Sequence, residues 1–147
     1  MRGYPDFFGY SLFPRYGIPV GENKMWTNVP NGGVETIFSI AGGGRTYGGF
    51  VKYYGDEDLF NMTAITAILD GVAHVSEAVS VELEYGIPAM RAQPFVLSQY
   101  EQRVVEQHVC YTGVPEWTFN TSMVVTLQNE SGDHIHVMGR MYWGRIM

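Results

Sequence analysis

His134 and His136 stand two apart near the end of the chain. Side chains two apart on a strand point the same way, so two imidazoles there can share a metal ion, as in cupin-type sites. Such a site also needs a carboxylate a few positions on and another His on a later strand, and residues 137–142 contain no acid. The pair reads as two partly exposed histidines on the polar face of a terminal strand, and no metal is assigned. His108 and Cys110 share a face in the same way, and an imidazole beside a thiol can activate a nucleophile. With no third group or oxyanion donor in the pattern, Cys110 reads as a structural thiol.

Three other groupings have a chemical reading and a plainer one. Asp56, Glu57 and Asp58 lack the alternating oxygen donors and central Gly of a calcium loop and read as a solvated turn. Gly42, Gly43 and Gly44 before Arg45 and Thr46 lack the Lys-Ser/Thr ending of a phosphate loop and read as a strand-to-strand turn. No carboxylate pair is singled out for glycoside hydrolysis, because Glu82 and Glu84 on one strand face are what any exposed face would show. No catalytic residue and no cofactor is assigned, and the chain is read as a non-enzyme. Tyr47, Tyr53, Tyr54, Trp26 and Trp143 could stack on sugar rings. A carbohydrate-binding module, with a glycan as partner, is the first alternative function, and a small cupin-like metal-dependent enzyme the second.

These residues need elements to hold them. The chain has 147 residues, 46% hydrophobic and only 16% charged, against the roughly 25% charged of an ordinary soluble domain. So little charge predicts faces that are covered. Eighteen glycines with abundant Tyr, Phe and Val favour strands and turns over helices. A net charge of −6 offers no basic field for phosphate backbones, so nucleic acid is excluded as a partner. Cys110 is the only cysteine, which rules out an intrachain disulfide. No apolar run approaches 18 residues, so neither a membrane span nor a signal peptide is expected. The glycosylation-type triplets at Asn61, Asn120 and Asn129 read as ordinary strand and turn residues.

Residues 1–33 carry four prolines and five closely spaced aromatics, with no helical or alternating period. They read as an extended arm, ending near Asn31, Gly32 and Gly33. From there strands are expected. Residues 34–40 put Val34, Thr36, Phe38 and Ile40 on one face, and the glycine turn is expected to pair them with residues 46–54. Asp70-Gly71 between residues 63–69 and 72–75 is a tight-hairpin signal, because both turn positions favour a positive φ. Val79, Val81, Leu83 and Tyr85 alternate with Ser80, Glu82 and Glu84 as in a half-buried strand. Residues 99–111 keep no single parity and leave strand or short helix open. Trp117, Phe119, Met123, Val125 and Leu127 are expected to share one side of a strand, and Ile135, Val137, Met141 and Trp143 one side of the last strand. The expected fold is all-β: one antiparallel β-sandwich or jelly roll over residues 34–147, with the N-terminal arm over residues 1–33.

The run Ser39-Ile40-Ala41-Gly42-Gly43-Gly44-Arg45-Thr46-Tyr47-Gly48-Gly49-Phe50-Val51, followed by Ala67-Ile68-Leu69-Asp70-Gly71, resembles small β-sandwich virion proteins of tailed bacteriophages. Residues 119–127 and 138–146 resemble the final strand pair of such proteins, with its aromatic-Gly-Arg ending. The resemblance implies a structural assembly protein of a virus particle: a minor capsid, decoration, tail or fibre component, made in the host cytoplasm and located in the virion. It implies association with itself, as a trimer by analogy, and with other virion proteins, and it implies no catalytic residues. The expected interface anchors are the arm aromatics Tyr4, Phe7, Phe8, Tyr10 and Phe13, because interface energy concentrates in a few desolvated rings.

Overall fold

The computed structural model describes residues 16–85 and 93–146. Tyr4, Phe7, Phe8, Tyr10 and Phe13 lie outside the described residues. Among the described residues ten strands and one short helix follow in order: β1 (Val20–Val29), β2 (Val34–Ala41), β3 (Gly44–Gly55), β4 (Ile65–Leu69), β5 (Val72–Val75), α1 (Val79–Tyr85), β6 (Phe95–Gln102), β7 (Gln107–Gly113), β8 (Thr118–Phe119), β9 (Ser122–Gln128) and β10 (Ile135–Arg145). They form an all-β sandwich of two antiparallel sheets. One sheet runs β2-β9-β4-β5; the other runs β1-β10-β3-β7-β6, with β8 paired to the start of β3. Among the described residues no helix is long and apolar enough to cross a membrane.

The core fills from both inner faces. Val51, Tyr53, Val109, Tyr111, Ile135, Val137, Met141 and Trp143 come from the six-stranded sheet. Phe38, Ile40, Ile65, Ala67, Leu69, Met123, Val125 and Leu127 come from the four-stranded one. Alternation therefore holds in β9 and β10 as their sequences require. In β2 it is broken, because Val125 pairs with Phe38 while Thr126 pairs with Thr36. The extra residue, Ile37, is a bulge that turns Ile37 and Phe38 inward together and leaves Val34 and Thr36 exposed.

The hairpin at Asp70-Gly71 forms as expected, with φ of 53° and 83° at the two turn positions and Leu69 opposite Val72. The parity failure over residues 99–111 is explained by a second hairpin, β6–β7, closed by the amide of Arg103 donating to the carbonyl of Glu106 at 2.8 Å. A strand that reverses cannot keep one parity.

Three expectations are corrected. β1 is a strand of the six-stranded sheet, so Asn31, Gly32 and Gly33 form the turn between β1 and β2 rather than the start of the domain. The glycine run does not pair β2 with β3 but carries the chain from one sheet to the other. Gly44 is closely packed at this crossing: a Cβ there would lie 2.7 Å from the Gly144 carbonyl oxygen and 2.8 Å from the Phe119 ring. Finally, residues 79–85 are helical, not a strand. Val79 and Glu82, three apart, are both buried while Leu83 is exposed, so burial follows the helical period and not the alternation.

Candidate functional site

The outer face of the six-stranded sheet holds the densest set of chemically capable side chains. Pairing of β10, β3 and β7 sets His136, Tyr54 and His108 side by side. The Tyr54 ring stacks on both imidazoles, with centroids 5.0 Å from His108 and 4.9 Å from His136. His108 Nε2 lies 2.6 Å from Glu106 Oε1, and the ring of His134 meets that of His136 edge-on at 5.3 Å. Trp26 stands edge-on to Tyr54, its centroid 5.2 Å away at an interplanar angle of 74°.

Trp26 reaches this position through a second bulge. Val137 pairs with Thr27 and Gly139 with Lys24, so Met25 and Trp26 together oppose Met138. An extra residue on the edge strand re-aims a side chain, and here it turns the indole over the sheet. Beside it opens a cleft of about 160 Å³, lined by Trp26, Lys52, Gln99, Glu101, Arg103 and His108. Cys110 is half-buried on the same lining. Arg103 Nη2 donates to Glu101 Oε1 at 3.1 Å across the mouth of the β6–β7 hairpin.

The groupings singled out in the sequence fare differently. His134 and His136 share a face, but His134 Nδ1 lies 3.1 Å from Asp133 Oδ1 and His136 is engaged by Tyr54. The amide of His134 holds the Asp133 carboxyl below the ordinary carboxylate range. Among the described residues no three His, Cys, Asp or Glu side chains converge as metal ligands. His108 and Cys110 also share a face, yet the imidazole is turned to Glu106. Asp58 accepts from the amide of Phe60 at 2.9 Å and from Asn61 Nδ2 at 3.2 Å, a local turn. Arg45, after the glycine run, pairs with Glu116 at 3.0 Å. Of the proposed sugar-stacking rings, Tyr53 and Trp143 are core residues, 1% and 4% exposed. Trp26 and Tyr54 meet on the outer face, while the Tyr47 hydroxyl donates to the carbonyl of Gly17 at 3.3 Å.

Glu82 is the largest departure from the sequence reading. It is 1% exposed, and the amide of Leu97 donates to both its carboxylate oxygens, at 3.0 and 2.9 Å. Burial pushes its carboxyl up, the Leu97 amide opposes this, and the nearby Glu77 adds to the rise. Tyr111 donates its hydroxyl to the Glu77 carbonyl at 2.6 Å and stacks on Tyr53, and burial drives both phenols upward. This polar group inside the core ties α1 to β6. Gln99, Glu101, Arg103 and Lys52 were missed for a simple reason: exposed polar residues on strands and turns look like any solvated face until the sheet sets them beside Trp26.

No protein-family model matches the chain, and no curated protein sequence matches it. The likeness to phage virion proteins rests on its motifs alone.

Proposed function

We propose that this chain is a structural assembly subunit of the kind that builds virus particles, and that copies of it associate along the outer edge of β1, which has no partner strand among the described residues. The observation that carries the reading is an asymmetry between the two edges of the six-stranded sheet. At the β6 edge, Glu82 of α1 takes up the Leu97 amide and Ser76 Oγ donates to the Phe95 carbonyl at 3.1 Å, so the edge is covered. At the other edge, β1 runs for ten residues and, among the described residues, pairs only with β10. It exposes Val20 and Met25. Its one lysine, Lys24, is turned to Glu35 of the other sheet and does not guard the edge. Long unguarded edges with apolar side chains are templates for another strand. A second copy of the same strand is self-complementary about a two-fold axis, and Glu22 and Lys24 leave β1 without net charge.

The motif likeness supplies the particle, the virion location and the other virion proteins as further partners. The arm rings Tyr4, Phe7, Phe8, Tyr10 and Phe13 are further anchors in this reading. Light scattering on the full chain at micromolar concentration tests it. The wild type is expected to be an oligomer, and Met25→Lys and the double change Phe7→Ala with Phe8→Ala are each expected to weaken association about tenfold or more. A monomeric wild type ends the reading.

A further inference from the structure

We propose that the cleft beside Trp26 on the outer face of the six-stranded sheet binds a neutral saccharide ring. A pyranose presents an apolar patch of C–H groups on one face and a rim of hydroxyls that both donate and accept hydrogen bonds. Its site therefore needs an aromatic surface beside mixed donors and acceptors. Trp26 supplies the first, half of its surface being open. Lys52 and Arg103 supply donors, Glu101 supplies acceptors and Gln99 supplies both.

The alternatives fit less well. A phosphate or sulfate needs donors without opposing charge, and here the carboxylate of Glu101 is bonded to Arg103 and that of Glu106 to His108. A purely apolar ligand would strip water from four charged or amide side chains with nothing in return. The volume of about 160 Å³ lies below the roughly 300–1,000 Å³ of sites for drug-sized molecules, so one ring is the natural occupant.

The platform is also held before any ligand arrives. Trp26 packs edge-on against Tyr54, and Tyr54 is fixed between His108 and His136. A ring already in place has less freedom to lose on binding. The site lies on the face of the sheet while the proposed assembly contact lies along the edge, so the two stand or fall separately.

An array of immobilised glycans, with neutral hexose and N-acetylhexosamine termini beside sialylated and sulfated ones, tests the inference with the full chain. Neutral glycans are expected to be bound. Trp26→Ala is expected to lower the signal at least tenfold and Trp26→Phe to keep most of it. Gln99→Ala, which leaves the indole untouched, is expected to weaken binding severalfold. Melting temperature and light scattering of the variants are expected to match the wild type. Absence of binding to every neutral glycan, binding confined to sialylated or sulfated ones, or neutral binding that survives both Trp26→Ala and Gln99→Ala overturns it.

Discussion

Asp70 accepts a hydrogen bond from the backbone amide of Thr121 at 2.7 Å, joining the turn of the β4–β5 hairpin to the crossover between β8 and β9. The same carboxylate accepts from the amides of Asn120 and Ser122 and from the Thr121 hydroxyl. It thereby organises the point where the chain leaves one sheet for the other. Those amides hold the Asp70 carboxyl down to about 2, from an ordinary 3.8. A carboxylate lowered on folding stabilises the protein above its unfolded value, and that contribution is lost as pH falls from about 4 towards 2. Asp70→Asn is expected to lower the melting temperature at pH 7, with the gap to wild type closing between pH 4 and pH 2. Thermal melts across that range check it.

Glu82 has the opposite sign. Its carboxyl is raised on folding, so the unfolded chain ionises first and stability falls as pH rises above about 4.5. Glu82→Gln keeps an acceptor for the Leu97 amide and removes the buried charge. It is expected to raise the melting temperature at pH 7 and to change it little at pH 4. Glu82→Ala leaves that amide unsatisfied and is expected to cost about 1–3 kcal/mol in denaturant titrations at either pH.

Gly49 has φ of 144°, and a Cβ there would overlap the Arg140 carbonyl oxygen and lie 2.7 Å from Met141 Cα. The obstructing atoms are backbone of the paired strand β10, which cannot swing aside. Gly49→Ala is expected to cost on the order of 3 kcal/mol or more, combining backbone strain with overpacking. Gly71, where a Cβ would meet nothing within 4 Å, is expected to cost less on the same change, through its φ of 83° alone. Chemical denaturation of the two variants side by side gives the comparison.

Asn129 is fully buried, its amide donating to the carbonyls of Val29 at 2.9 Å and Asp133 at 2.7 Å while its oxygen accepts from Ser131. Asn129→Ala is expected to destabilise the fold by about 1–3 kcal/mol for each carbonyl left without a partner. Expression through a secretory pathway followed by peptide mass spectrometry is expected to find no glycan at this residue, since its nitrogen is enclosed.

Much of the sandwich was legible from side-chain period alone. Phe119, Met123, Val125 and Leu127, and Ile135, Val137, Met141 and Trp143, face the core because successive strand residues point to opposite sides wherever the backbone is regular. Asp70-Gly71 declared its hairpin because few other residue pairs accept two positive φ values in succession.

What the sequence left open lies where the period is interrupted or where distant segments meet. Residues 79–85 fit both a strand alternation and a single helical turn pair, and the buried contact between Glu82 and Leu97 selects the helix. The bulges at Ile37 and at Met25 and Trp26 leave no mark in composition, because they are set by register against β9 and β10. Whether the glycine turn paired two strands or passed between sheets was set by partners far along the chain, β9 for β2 and β7 and β10 for β3. The outer-face cleft is of the same kind. Trp26, Lys52 and Gln99 come from three strands and Arg103 from the turn between β6 and β7, and only the strand order β1-β10-β3-β7-β6, fixed by long-range pairing, brings them around one space. Local pattern determines which way a side chain points; tertiary pairing decides what it faces.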